Sequence, residues 1–175
     1  MERQKGELLF CWQKKLAGMY IGDHKVYSFY SFEIVDYSDR PKAFKALFYT
    51  ESLAYADLSC ANLRYANLTG AKLRLVNLSI ANLHGANLDY AYLYGAVLSY
   101  ADLSGANLTG ANLSGAELGY ADLSGASLYD ASLRSANLSG ANLKFANLRS
   151  ADLRRANLSG IKYDENTVWP EGFKP

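Results

Sequence analysis

The stretch "ADLSGANLTGANLSGAELGYADLSG", residues 101–125, returns a leucine at every fifth position with an alanine two places before it. The spacing runs unbroken from Leu53 through Leu158, and alanine holds its place from Ala56 through Ala156 with Val76 as the one exception. Between alanine and leucine the usual residue is Asn or Asp, as at Asn62, Asn87, Asp102 and Asp122, and the two residues after leucine are mostly small or polar. The unit is A-(N/D)-L-x-x, and a repeat of this kind has to be read first, because a missed period mis-assigns the whole fold.

A period of five fits neither regular element. On an α-helix five residues turn through roughly 500°, so successive leucines would step around the cylinder and form no apolar stripe. On a straight strand an odd period sends each leucine to the opposite face from the last. What remains is a short extended piece that bends once per repeat. Alanine and leucine, two apart, share one face of that piece, and the next two residues make the corner, so the chain coils around its own leucines. Glycine at the second corner position, as at Gly105, Gly115 and Gly125, suits a type II turn, whose third residue needs a positive φ. Where that position holds Tyr55, Tyr65, Tyr90, Tyr100, Tyr120 or Phe145, another turn type is expected.

This A-(N/D)-L-x-x array resembles the pentapeptide repeat family over residues 51–162. The resemblance implies an all-β solenoid: a right-handed quadrilateral parallel β-helix with four pentapeptides per coil. The period alone would also allow three sides. Four repeats per coil give about five and a half turns of roughly 4.8 Å each, a rod of about 26 Å. Each buried leucine contributes on the order of 1.5–3 kcal/mol, so the interior holds the fold together with no cofactor and no metal.

Solenoid ends expose strand edges and need covers. Residues 38–50 supply one: Ser38 or Asp39 as N-cap, Pro41 in the first turn, and Ala43, Phe44, Leu47 and Phe48 to cover the first coil, with a short helix over residues 40–49. At the other end residues 163–175 form a cap or tail in which Tyr163 takes the leucine position and Val168, Trp169 and Phe173 fold over the last coil. Residues 1–37 lie outside the repeat. They read as a helix over 2–16 carrying Leu8, Leu9, Trp12 and Leu16, followed by a hairpin turned at residues 22–24.

Composition narrows the function classes. The chain has 175 residues, 50% of them hydrophobic, and 18 Lys and Arg against 17 Asp and Glu leave a formal charge of +1. No global field steers it toward nucleic acid or an anionic membrane, and no stretch approaches the roughly 20 apolar residues of a membrane span. Two cysteines, Cys11 and Cys60, in unlike contexts argue for reduced thiols and a cytoplasmic setting. His24 and His84 are the only histidines and show no metal-ligand spacing with those cysteines. The serines recur because the corner tolerates small polar residues, and the glycines fall at corners of period five, so neither a nucleophilic triad nor a phosphate loop stands out. The chain reads as a non-enzyme.

Binding is the better expectation. With 20 residues per coil one corner column reads Cys60, Ile80, Tyr100, Tyr120, Gly140 and Gly160, an apolar ridge that either reinforces the coil or docks a partner. The face built on Leu73, Leu93, Leu113, Leu133 and Leu153 carries Lys72, Arg74, Tyr92, Tyr94, Arg134, Arg154 and Arg155, and is basic and aromatic at once. The expected role is a structural scaffold or protein–protein interaction module, its partner another protein, with nucleic acid disfavoured. The family resemblance also implies a bacterial, particularly cyanobacterial, setting and the possibility of end-to-end dimers through the C-terminal end. The alternative it implies is a DNA-mimic regulator of a DNA-binding enzyme such as gyrase. That role needs acidic flanks, which this near-neutral array does not supply.

Overall fold

The computed structural model describes residues 53–175. The helices expected over 2–16 and 40–49, the hairpin at 22–24, and Cys11 and His24 lie outside those residues. From Leu53 onward the chain repeats one pattern without regular long strands. Each unit makes a single parallel bridge at its middle residue and then a two-residue turn. The bridges join residues 20 apart: Asp57 to Asn77, Asn82 to Asp102, Asp122 to Asn142 and so on through Asn142 to Lys162. Twenty residues are four units, so one coil has four short sides, each set directly over its counterpart in the next coil.

The unit's backbone accounts for every donor it carries. In residues 101–105, the Ala101 N–H closes the turn on the Leu98 carbonyl at 3.1 Å, and the Asp102 N–H reaches back one coil to the Ala81 carbonyl at 2.9 Å. The N–H groups of Leu103 and Gly105 reach forward one coil, to the carbonyls of Asp122 and Ser124, at 2.7 and 2.8 Å. The remaining donor, the Ser104 N–H, goes to the side chain of Asp102, which accepts it through Oδ1 at 3.0 Å. Asn or Asp therefore recurs at the middle position because its short side chain reaches the one N–H that the ladder misses. The same bond forms from Thr69 to Asn67, Ser79 to Asn77, Ser114 to Asn112 and Ser139 to Asn137. Between coils these side chains also form rungs, as Asn107 donating to Asn87 and Asn142 donating to Asp122.

The interior is the leucine and alanine set. Every such residue from Ala66 through Leu148 is almost completely buried, and Val76, the one substitution, is as buried as its neighbours. Alanine on the inward side leaves the width of the lumen to leucine, and Val76 shows that one position takes a larger residue without exposing it.

The corners differ from expectation. Tyr55, Tyr65, Tyr90, Tyr100, Tyr120 and Phe145 have φ between 53° and 65°, the same left-handed conformation that the corner glycines adopt. The turn closes from the next alanine N–H to the leucine carbonyl, and only its third residue has a positive φ, so tyrosine and glycine corners share one turn type. A left-handed L-residue costs roughly 1–2 kcal/mol. It persists because its backbone is tied at both ends, as where the Tyr100 N–H donates to the Gly119 carbonyl at 3.0 Å while the Ala101 N–H closes on Leu98. Tertiary pairing overrides the local preference.

The tail also departs from the expected lid. Val168 does not fold over the last coil: it takes the outward middle position, bridges Asn147 and is 46% exposed. The pairing interval there is 21 residues, because the unit "IKYDEN" at 161–166 has one residue more than its predecessors. Asp164 and Thr167 absorb the extra residue. The Asp164 carboxylate accepts the N–H groups of Phe145 and Asn166 at 3.2 and 3.0 Å. The Thr167 hydroxyl, buried in the alanine position, accepts from the Asp164 N–H and lies 3.0 Å from the Leu143 carbonyl, to which it donates. Tyr163 then meets Trp169 edge to face at a centroid distance of 5.6 Å, and Trp169 stacks on Phe173 at 5.4 Å.

Candidate interaction surface

Because each side of the coil lies over the next, residues 20 apart form columns, and the outward positions become surfaces. The face built on Leu93 brings Lys72, Arg74, Tyr92, Tyr94, Arg134, Arg154 and Arg155 to one side, with Lys72 bridged to Tyr92 and Ser132 to Asp152. These residues divide into two groups. In the first, the Arg74 guanidinium lies 5.6 Å from the Tyr94 ring centre and donates to the Tyr55 hydroxyl at 3.2 Å. Tyr92 and Tyr94 are both exposed. In the second, Arg154 grips Asp152 with both arms of its guanidinium, its Nε donating to Oδ1 at 2.8 Å, while Arg134 approaches the same carboxylate at 3.9 Å. The bond from Arg154 is the main reason that the Asp152 carboxyl is lowered from 3.8 to about 2.

Between the two groups lie Asn112, Ser114, Ser132, Gly95 and Gly115, and the Ser114 and Ser132 hydroxyls meet at 2.8 Å. The face is thus a shallow saddle of small residues with an aromatic–cationic shoulder on one side and an arginine shoulder on the other. Its composition has a cost in folding. Lys72 and Tyr92 occupy middle positions and cannot give the local acceptor that Asn or Asp gives elsewhere, so the fold forgoes that bond where the surface carries its charge and rings.

The second candidate, the column Cys60, Ile80, Tyr100, Tyr120, Gly140 and Gly160, stands at corners that all have positive φ. Ile80, Tyr100 and Tyr120 are each 62% exposed, Cys60 is a free, exposed thiol, and the Tyr100 and Tyr120 rings stack at 5.2 Å with planes 8° apart. The Tyr120 ring lies where a Cβ on Gly140 would stand, 2.6 Å away. Each ring therefore leans over the corner of the following coil. The rule extends to other columns: Tyr65 covers Gly85, Tyr90 covers Gly110 and Leu75 covers Gly95.

A third constellation was not singled out in the sequence. Tyr65, His84 and the unit that holds Asp102 and Ser104 come from three successive coils, yet the stack joins them into one hydrogen-bonded series. The signal was present as the 20-residue interval between His84 and Ser104, hidden among serines that recur for structural reasons. Among the described residues no three of His, Cys, Asp and Glu converge on a metal position, and no helix is long and apolar enough to cross a membrane.

A family model described as pentapeptide repeats matches in eight copies, over residues 52–79, 77–115, 91–130 and 121–160. Among solved structures, a pentapeptide repeat protein from the thylakoid lumen of Arabidopsis thaliana is 35% identical with a TM-score of 0.52, over 53% of this chain and 65% of that one. A pentapeptide repeat protein from the cyanobacterium Cyanothece 51142 is 40% identical with a TM-score of 0.33, over 55% of this chain and 63% of that one. Another, from Nostoc PCC 7120, is 46% identical with a TM-score of 0.37, over 56% of this chain and 77% of that one. The chain thus spans somewhat less than two thirds of the length of the first two. No curated protein matches it. With the repeat model covering residues 52–160, well over half of the sequence, this protein belongs to the pentapeptide repeat family, whose structures are right-handed β-helices.

Proposed function

We propose that the chain is a non-enzymatic scaffold that binds another protein through its Leu93 face. The observation that carries this reading is the segregation of charge. That face has five cations, Lys72, Arg74, Arg134, Arg154 and Arg155, and one acid, Asp152. The other described residues set five cations, Arg64, Lys144, Arg149, Lys162 and Lys174, against nine acids. A basic, tyrosine-rich face on an otherwise acidic body suits a partner with an acidic surface, and Tyr and Arg are the side chains that most often anchor interfaces.

The right-handed, four-sided form implied by the family gives this face its straight columns, and the setting that accords with the free thiol of Cys60 is the bacterial cytoplasm. The half-buried Leu158, Ile161, Trp169 and Phe173 at the C-terminal end are the natural place for end-to-end association. A DNA-mimic role on gyrase would call for an acidic rod; acids outnumber cations away from the Leu93 face, but over the described residues ten cations balance ten acids, and that balance supports the scaffold instead.

The test compares the full chain with a variant in which Arg74, Arg134, Arg154 and Arg155 are all changed to Glu, each immobilised and exposed to native cell extract. The expected outcome is a retained protein that the original binds and the reversed face loses, with binding that weakens as salt is raised. Equal retention by both forms removes the Leu93 face from the proposal. A matched form lacking residues 1–37 shows whether the flanking segment is the part that binds.

A further inference from the structure

The series Tyr65–His84–Ser104–Asp102 fixes a proton arrangement. The Ser104 hydroxyl lies 2.5 Å from Asp102 Oδ1, and a carboxylate only accepts, so the single serine proton points there. Ser104 therefore meets His84 Nδ1, 2.8 Å away, as an acceptor, and Nδ1 carries the hydrogen. In the neutral ring Nε2 is then a free lone pair, and it faces the Tyr65 hydroxyl at 3.1 Å. The rings of Tyr65 and His84 meet edge to face at 5.3 Å, which holds the imidazole in line with the phenol. This is the ordering by which a base oriented by a third group prepares a hydroxyl nucleophile. Above the same ring, the Arg64 guanidinium stands 5.5 Å from its centre.

We propose that Tyr65 is a nucleophile activated by His84 and a site of covalent O-acylation, with an acyl phosphate as the class of donor. Tyr65 Oη attacks the carbonyl carbon, a new C–O bond forms, and the bond from that carbon to the phosphate oxygen breaks. Phosphate leaves with the electron pair, and the phenol proton passes to His84 Nε2 and from there to water. Arg64 favours an anionic donor over a neutral one because its charge lies over the ring that carries the attacking oxygen, 5.5 Å from the ring centre. Ser104 and Asp102 are positioning residues, acting through the tautomer of His84. The modification is stoichiometric and needs no pocket, since Tyr65 is 58% exposed.

The fold supplies internal controls, for Tyr55, Tyr90, Tyr100 and Tyr120 occupy equivalent corners with exposures of 62–66% and, among the described residues, have no histidine ring against them. The full chain is incubated with acetyl phosphate, and hydroxylamine-labile acetyl groups, which are esters rather than lysine amides, are mapped by peptide mass spectrometry. Tyr65 is expected to acquire acetyl at least about tenfold faster than the other four, a gain within the range of general-base assistance. His84→Gln should bring it down to their level. Ser104→Ala, which leaves both rings in place, should slow Tyr65 severalfold and leave the control tyrosines unchanged. Arg64→Gln should slow acetylation by acetyl phosphate. A Tyr65 rate equal to that of Tyr90 and Tyr100, or a rate unchanged in both His84→Gln and Ser104→Ala, overturns the activation. A rate unchanged in Arg64→Gln overturns the assignment of an anionic donor.

Discussion

Leu118 and Leu158 stand in the same column and follow the same alanine, yet Leu118 is completely buried and Leu158 is only half so. Their pentapeptides, AELGY and ANLSG, differ only at outward and corner positions. Leu118 has a coil on each side, whereas among the described residues Leu158 has one. Burial in this fold is a property of the stack, and a unit becomes core only when a neighbour is laid on it. The largest expected effect follows from that contrast. Leu118→Ala should cost about 2–5 kcal/mol, the usual range for deleting a leucine from a packed interior, and Leu158→Ala half of that or less. Urea and thermal unfolding of the two variants give the comparison. Equal losses would mean that the end of the stack is covered as fully as its middle.

The same two regions differ in how they close their turns. Every repeat turn closes from the alanine-position N–H to a carbonyl three residues back, and the last one, from the Thr167 N–H to the Asp164 carbonyl, adds the Thr167 hydroxyl, which reaches both the Asp164 N–H and the Leu143 carbonyl. Thr167→Val keeps the shape and removes the oxygen, so the part-buried Asp164 N–H loses this acceptor while the Leu143 carbonyl keeps the Ala146 N–H, for about 1 kcal/mol. Thr109→Val, on a half-buried hydroxyl of the regular array, should cost only a few tenths of a kcal/mol. Hydrogen exchange locates the effect: the amide of Phe145, held by Asp164, should lose protection in Thr167→Val and keep it in Thr109→Val.

Most of the fold was legible because one pattern is repeated through more than a hundred residues and only a coil satisfies it. Leucine and alanine gave the wall, and Asn or Asp marked where a donor would otherwise go unmet. Legibility failed where neighbours, rather than local preference, decide. The tyrosine corners were expected to differ from the glycine corners, but the ladder on either side imposes one conformation on both. The tail was read as a lid because its period slips by a residue at Asp164, which conceals a further pairing of Val168 with Asn147. His84 looked isolated because its partners arrive from the coils before and after it. The Leu93 face was legible as a column of letters, yet the grip of Arg154 on Asp152 and the packing of Arg74 against Tyr94 depend on rotamers that letters do not specify.

The corner rule provides a finer contrast inside the array. Gly85 and Gly105 share a column and a left-handed φ, but a Cβ on Gly85 would stand 2.5 Å from the Tyr65 ring, and one on Gly105 would meet open space. Gly105→Ala should cost about 1 kcal/mol, the conformational term alone. Gly85→Ala should cost that and some tenths more, because the exposed ring can swing outward but gives up its packing. Gly85→Ala should also slow any reaction at Tyr65, by moving the phenol from His84. If the two substitutions cost the same and Tyr65 behaves alike in both, the rings do not brace the following corner.

The smallest effect is expected at the acid of the Leu93 face. Asp152 is held near 2 in the folded chain against an ordinary value of 3.8, chiefly by the hydrogen bond from Arg154, with Arg134 contributing at longer range. A depressed carboxyl stabilises the fold above its unfolded value and loses that contribution as pH falls toward the folded one, so the window runs from about pH 4 down to about pH 2. Arg154 is only two residues away and can reach Asp152 in the unfolded chain too, which cancels part of the gain. Arg134 reaches it only through the coil, so it supplies the part that depends on folding. The group is also close to solvent, where added salt screens the pair. Acid titration of stability should therefore show a shallow loss in this window that Asp152→Asn flattens and that Arg134→Gln reduces without abolishing. The difference between the original chain and Asp152→Asn should shrink at about 1 M salt, where screening acts within about 3 Å. An acid profile unchanged by Asp152→Asn at low salt would show that the shoulder of arginines on this face is held for a partner and contributes nothing to the stability of the coil.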